Sequence, residues 1–531
     1  VSAGTLTRDT RTPAPGRRAA VGRFALDRDV VMLALLIAIA AFLRFWRLRH
    51  QGFWFDEANT SQEVHYRPGQ MLSLLKHYES TPPLYYGVAW VWARIFGYGE
   101  AGLRSLSAVC GVLVVPVSYV LARKLFTRRA GLIAAALTAS NPLLIWYSQE
   151  ARAYELVVLL SGISLIAFAY AKDEPTPGAL ATWTVASALA IATEYYAALV
   201  IIPQALWLLY RHRGARTVIA GIAVLVVWCL PLLWFAISQH GTGHAKWIAP
   251  IPLGHRIGEI FPQFLIGFGA PGGDVLSRVA EVAAVAALLL LAVRVRRGEA
   301  RSGAALAGGI VVVAIVLNAL LIAAGIDNLL SRNVIELWLP LAALVAAGLA
   351  IRGRAAIAGL ALAAALCGIG VAAAVGVALN RHYQRPDWRG VVRVLGVQPS
   401  PGVSQRAILI QLYRDVLPLS LYMPGLKAWT HHGTDKYNIY TGTNPVDEFE
   451  VVSMSSPPGK LCWWGSACNL EATQLQSAYK LPGFRPVWIR HFEQFTILRL
   501  RAQHPVVVSP QMVSAALTNT NLIYDDLLLQ R

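Results

Sequence analysis

Asp56 and Glu57 stand side by side in Gly52-Phe53-Trp54-Phe55-Asp56-Glu57-Ala58-Asn59-Thr60, just after the first long apolar segment of the chain. A carboxylate beside a membrane loses hydration, so each acid needs a cation, a hydrogen-bond donor or a reacting group nearby. Asp56 is the candidate catalytic base. The plainer possibility is a solvated loop whose Phe53, Trp54 and Phe55 belong to an interfacial aromatic belt. Three more polar clusters stand out: Thr81-Pro82-Pro83-Leu84-Tyr85-Tyr86, where proline starts a helix; Tyr147-Ser148-Gln149-Glu150-Ala151-Arg152-Ala153-Tyr154-Glu155; and Ser331-Arg332-Asn333, close to Asp327. Each has a structural alternative, in which Glu150 pairs with Arg152 and Arg332 snorkels to lipid headgroups.

The elements that must position these groups are membrane helices. Of 531 residues, 56% are apolar and 14% charged, too greasy for a soluble chain of this length. The formal charge of +18 comes from Lys and Arg in short clusters between apolar segments, a pattern of membrane topology rather than nucleic-acid binding. Residues 1–29, rich in Arg, Thr and Pro, read as a disordered cytoplasmic tail without the apolar core of a signal peptide. Of five cysteines, Cys462 and Cys468 lie close together in a polar C-terminal region, a spacing open to a disulfide in an oxidising compartment.

The basic clusters fix a topology. Arg17, Arg18, Arg23 and Arg28 put the N-terminus inside and Asp56 outside. The apolar piece 84–96 is shorter than the about 20 residues a spanning helix needs. If it crossed, the loop bearing Arg123, Lys124, Arg128 and Arg129 would fall outside, so it reads as a helix on the outer surface. Spans are expected at 30–48, 103–121, 131–147, 154–170, 179–193, 195–210, 218–237, 275–293, 306–324, 334–350 and 357–378, with every strongly basic interhelical cluster inside. The outcome is an α-helical polytopic membrane protein of about 11 transmembrane helices. Its membrane domain covers 30–379 and has outer loops at 49–102 and, expected to be mobile, 238–274. Residues 380–531 form an extracytoplasmic α/β domain, with a helix at 387–395 and strands at 407–412, 448–454 and 487–500. That domain is either a structural cap or helps to bind the acceptor or shape the site entrance.

The order and spacing of Trp54-Phe55-Asp56-Glu57, Thr81-Pro82-Pro83-Leu84-Tyr85-Tyr86 and Ser148-Gln149-Glu150-Ala151-Arg152-Ala153-Tyr154 resemble the GT-C membrane glycosyltransferases of the protein O-mannosyltransferase and lipid A aminoarabinose transferase type. The likeness is strongest over 30–210. It extends more loosely to Ser331-Arg332-Asn333 and to Arg385-Pro386-Asp387-Trp388-Arg389-Gly390, similar to a run after the last span of bacterial members. The chain departs from the pattern at Thr81, where related enzymes often carry His or Lys.

The resemblance implies a GT-C fold and a polyprenyl-phosphate sugar donor. It also implies transfer to an envelope glycan, lipid or protein at the outer face. A phosphate leaving group needs no general acid, so one base, Asp56, suffices and inversion is expected. Arg332 and Arg152 are candidates to hold the departing phosphate, with Lys246 and His244 weaker ones. Glu57 and Glu150 could bind a divalent cation, orient the acceptor or repel the Asp56 charge. Orientation is favoured, with no obligatory metal. Tyr85, Tyr86, Tyr195 and Tyr196 either line a groove for the polyprenyl chain or belong to the aromatic belt. The Ala-rich spans suit a bacterial inner membrane. A transporter or flippase for a lipid-linked substrate is the rival reading; it predicts paired repeats and charges at the bilayer midplane, and the sequence has no evident repeat. A non-catalytic envelope scaffold is a third.

Overall fold

The computed structural model describes residues 28–241, 248–410, 416–429, 442–454, 480–493, 495–516 and 526–531. Lys246, His244, Cys462 and Cys468 lie outside the described residues, as does most of the N-terminal tail.

The chain opens with α1 (Arg28–Phe45) and then forms three short helices, α2 (Phe55–Glu63), α3 (Pro68–Tyr78) and α4 (Leu84–Phe96). Proline begins α3, and Pro83 is the N-cap of α4. Tyr85, Tyr86, Ala89 and Ala93 of α4 are buried, while Val91, Ile95 and Phe96 are exposed, the one-sided burial of an amphipathic helix. The long helices follow: α5 (Glu100–Leu125), the pair α6 (Arg128–Ser140) and α7 (Pro142–Ser148), α8 (Tyr154–Ala171), α9 (Pro177–Thr193), α10 (Ala198–Arg211) and α11 (Arg216–His240). The α6–α7 pair bends by 56° where Asn141 caps α7 and Pro142 starts it. Next come α12 (Leu253–Ile266), α13 (Gly273–Arg296), α14 (Arg301–Ala323), a 3₁₀ turn at Ser331–Leu337 running into α15 (Trp338–Leu349), and α16 (Ala356–Leu379).

A helix stands at each of the eleven expected span positions. Among the described residues, however, seven helices are long and apolar enough to cross a membrane, or eight with the bent pair taken as one span. The shortfall has local causes: α1 carries Arg28, Asp29 and Arg44, and α9 and α10 have 17 and 14 residues. The chain is thus a multi-pass membrane protein. α5, α8 and α15 are largely buried by neighbouring helices, whereas α11, α13, α14 and α16 leave most of their apolar surface exposed, as lipid-facing helices do. The stretch 238–274, expected as a mobile loop, contains α12, whose Phe264 and Ile266 join the main core.

Beyond α16 lie α17 (Trp388–Leu395), β1 (Arg406–Ile410), α18 (Val416–Tyr422), β2 (Lys427–Ala428), β3 (Asn444–Met454), β4 (Arg485–Phe492), β5 (Phe495–Val508), α19 (Pro510–Ala516) and β6 (Asp526–Gln530). The strands form one sheet in the order β2-β6-β1-β3-β5-β4, with β1 parallel to β3 and the other pairs antiparallel. Both faces are covered, and β1 shows how. Ile408 and Ile410 pack with Trp388, Val391 and Leu419 of α17 and α18, while Ala407 and Leu409 pack with Val513 of α19. The single strand expected at 487–500 is instead the hairpin β4–β5, reversed beside Glu493, whose φ of 54° is left-handed.

Candidate active site

Asp56 and Glu57 sit in the first turn of α2, where the positive end of the helix dipole favours carboxylates. They have opposite environments. Glu57 is fully buried: Arg104 Nε and Nη2 donate to its Oε1 and Oε2 at 2.7 and 2.6 Å, and the Ala151 N–H donates to Oε1 at 2.9 Å. Burial pushes this carboxyl upward, but the Arg104 charge and hydrogen bonds, with Arg385, hold it below the ordinary glutamate range. Arg104 also donates to the carbonyls of Leu48, Gln51 and Gly52 at 3.1, 2.7 and 2.8 Å. One guanidinium thus ties α5 to the chain entering α2 and, through Glu57, to the α7–α8 turn. With its oxygens occupied in this way, Glu57 is placed to hold the backbone rather than to touch an acceptor.

Asp56 retains some exposure, 15% of its side chain, and its Oδ2 lies 3.4 Å from Nη1 of Arg332, a residue 276 positions away. Arg332 stands in the 3₁₀ turn before α15, where Asn333 donates to the Asn328 carbonyl at 2.6 Å. Asp327, five residues before Arg332, is bound by Arg256 of α12 at 2.6 Å. The fold therefore brings together the two residues to which the sequence gives the roles of base and phosphate ligand.

The other candidates have different partners from those expected. Glu150 and Arg152 do not pair with each other. Glu150 Oε2 accepts from Arg385 at 2.7 Å, and Arg152 clasps both oxygens of Glu79 at 2.9 and 3.1 Å. Burial raises the Glu150 carboxyl despite Arg385. Arg152 further donates to the Tyr86 hydroxyl at 2.7 Å, which leaves it a buried strut rather than an open phosphate ligand. Glu63 lies in the same cluster, and its carboxyl is pushed well up by burial and by Glu79.

Tyr85 and Tyr86 are buried in the core of α3, α4 and α5, so they face protein rather than a lipid groove. Tyr195 is half-buried and donates to Gln239 Oε1 at 2.9 Å; Gln239 in turn donates to the carbonyls of Leu75 and Thr81 at 3.0 and 2.9 Å. The Thr81 hydroxyl contacts that of Tyr86 at 3.3 Å. Close packing beneath the site requires Gly111, where a Cβ would lie 2.1 Å from Ser148 Oγ and 2.8 Å from Arg44 Nε. Among the described residues, no group of three or more His, Cys, Asp or Glu is placed to hold a metal ion.

Arg104, Glu79 and Glu336 were not singled out from the sequence. Arg104 and Glu336 carry a usable signal, a charge at the start of an apolar helical run, which demands a partner or a function. Arg104 has its partner in Glu57. Glu336 is fully buried, and neither carboxylate oxygen has a hydrogen-bond partner among the described residues.

Residues 80–238 match the model of the family described as dolichyl-phosphate-mannose-protein mannosyltransferase. That match holds the Thr81–Tyr86 and Tyr147–Glu155 clusters and leaves out Asp56 and Arg332. A sequence comparison with curated proteins finds no match. Among solved structures, ArnT from Cupriavidus metallidurans in the apo state is 14% identical, with a TM-score of 0.50 over 88% of this chain and 97% of its own. The same protein bound to undecaprenyl phosphate aligns over the same shares at 14% identity, with a TM-score of 0.49. The Archaeoglobus fulgidus oligosaccharyltransferase tethered to an acceptor peptide is 15% identical over 70% of this chain and 57% of its own, with a TM-score of 0.44. Residues 80–238 are thus similar in sequence to that mannosyltransferase family, and the likeness to the apo ArnT structure is one of fold.

Proposed function

We propose that this protein transfers a sugar from a polyprenyl-phosphate donor to an envelope glycan, lipid or protein at the outer face of a bacterial inner membrane, with inversion at the anomeric carbon. In this reading the N-terminus is cytoplasmic and the C-terminal domain extracytoplasmic. The acceptor hydroxyl attacks the anomeric carbon as the bond to the phosphate oxygen breaks. The bonding pair leaves with the phosphate, and the hydroxyl proton passes to Asp56. Arg332 meets the charge that grows on the phosphate. Glu57 and Glu150 act on the acceptor indirectly, by fixing the backbone around Asp56.

The observation that carries this reading is the 3.4 Å approach of Arg332 to Asp56. A base must lie about 3 Å from the acceptor oxygen, on the side of the sugar opposite the phosphate. Arg332 therefore has to swing away from Asp56 when donor and acceptor enter. A contact of 3.4 Å, longer than the neighbouring ion pairs, is suited to that exchange.

The test is loss of a labelled sugar from a panel of polyprenyl-phosphate donors, with purified protein in lipid and an envelope extract as acceptor. The expected result is consumption of one donor with label appearing in the acceptor. Movement of intact donor across the bilayer without cleavage would instead make the protein a transporter.

A further inference from the structure

The run Arg385–Gly390 and the helix α18 have no part in the chemistry above, yet both reach the chain that enters α2. Arg385 N–H donates to Gln51 Oε1 at 3.1 Å, its guanidinium lies 4.0 Å from the Trp146 ring centroid, and it holds Glu150. Arg389 Nη2 donates to the carbonyls of Arg49, at 3.0 Å, and His50, and Nη1 lies 3.4 Å from Glu100 Oε1. Tyr422, the last residue of α18, completes the set. Its hydroxyl accepts from the Phe53 N–H at 2.7 Å and donates to Glu100 Oε1 at 2.9 Å. The Tyr422 ring packs against two cores at once, that of α3–α5 with Phe53 and that of the C-terminal domain with Trp388 and Leu419.

We propose that Tyr422 is a positioning residue for Asp56, so that the C-terminal domain is a working part of the active site rather than a cap over it. This rests on the reading of Asp56 as the base. Phe53 is buried and precedes α2, outside any helix or strand. Secondary structure therefore leaves this donor unsatisfied, and the acceptor comes from a hydroxyl 369 residues away. Burial and the Glu100 carboxylate raise the Tyr422 phenol above its ordinary range, so it stays protonated, and with Glu100 as its acceptor its lone pairs are left to the Phe53 N–H. From Phe53 the chain reaches Asp56 within three peptide units, so rotation of this stretch moves the carboxylate relative to Arg332. Arg104 fixes the carbonyl of Gly52 on the same stretch, and Tyr422 fixes the N–H that follows it.

The test is Y422F in the full-length protein in lipid, with turnover and amide hydrogen exchange both measured. The ring and its packing remain, and one hydroxyl is lost. We expect kcat to fall about tenfold with the donor KM changed by no more than about twofold, the pattern of a mispositioned reacting group. We also expect faster exchange confined to residues 53–58. E100Q, which leaves an acceptor for the Tyr422 hydroxyl, should retain most of the activity. Unchanged kcat in Y422F, or loosening that spreads through α5 and the sheet, would overturn the proposal. If wild-type protein consumed no donor, the glycosyl-transfer reading would fail, and exchange at 53–58 would still decide the strap: wild-type protection there in Y422F would overturn it.

Discussion

Two kinds of ion pair meet at one end of this helix bundle. Glu57–Arg104, Glu150–Arg385 and Glu79–Arg152 have contacts of 2.6, 2.7 and 2.9 Å, and every side chain in them is at most 7% exposed. Asp56–Arg332 is longer, at 3.4 Å, and keeps 15 and 20% exposure. The first three are frame. They join α2, α3, α5, the α7–α8 turn and the chain leaving α16, and breaking any of them strands a buried charge. The fourth can open to admit substrate at small cost, because solvent already screens it. In the proposed mechanism adjacent residues, Asp56 and Glu57, divide into a reacting carboxylate and a scaffold carboxylate, set about 100° apart around the helix that holds both.

The largest effect expected from this division is on turnover. D56N should lower the transfer rate by about 10²–10⁴-fold, the usual worth of a general base, with the thermal unfolding temperature unchanged. R332A comes next, with a loss of about 10²–10³-fold in kcat and little loss of stability. R104M should do the reverse of D56N. It should cost about 3–5 kcal/mol of stability by leaving Glu57 buried and unpaired, seen as a lower unfolding temperature in lipid. A D56N protein that unfolded early, or an R104M protein of full stability, would break the comparison.

The smallest effect expected is a pH dependence. The folded state holds Glu57 below its ordinary 4.5, so its contribution is fully present above that value and is lost as pH falls through the lower, folded value. Wild-type unfolding temperature should therefore drop more steeply than that of E57Q below pH 4.5. Equal slopes would show that Glu57 contributes no acid sensitivity.

Much of the architecture was legible in the sequence because it rests on local pattern. The helix Leu84–Phe96 has the bounds its apolar run announced, and Asp387 before Trp388 marks the start of α17, where it accepts from the Gly390 N–H at 3.0 Å. The β4–β5 reversal was not legible, since alternation continues on both sides of Glu493 and no Gly or Pro marks the turn. Pairing was the other gap. Glu150 and Arg152 look like natural partners two residues apart, yet each is claimed by a residue far along the chain, Arg385 and Glu79. Sequence proximity identifies charges that need partners. Only packing decides which partners arrive, and the same limit hid Arg104 and Tyr422 until the helices were assembled.

In the proposed mechanism Asp56 is a base and never bonds to the sugar. The most direct measurement is the anomeric configuration of the transferred sugar, read by NMR on product made from a donor of known configuration. Inversion is the predicted result. Retention would require a covalent glycosyl-enzyme intermediate or a front-face path, and would contradict the role given to Asp56.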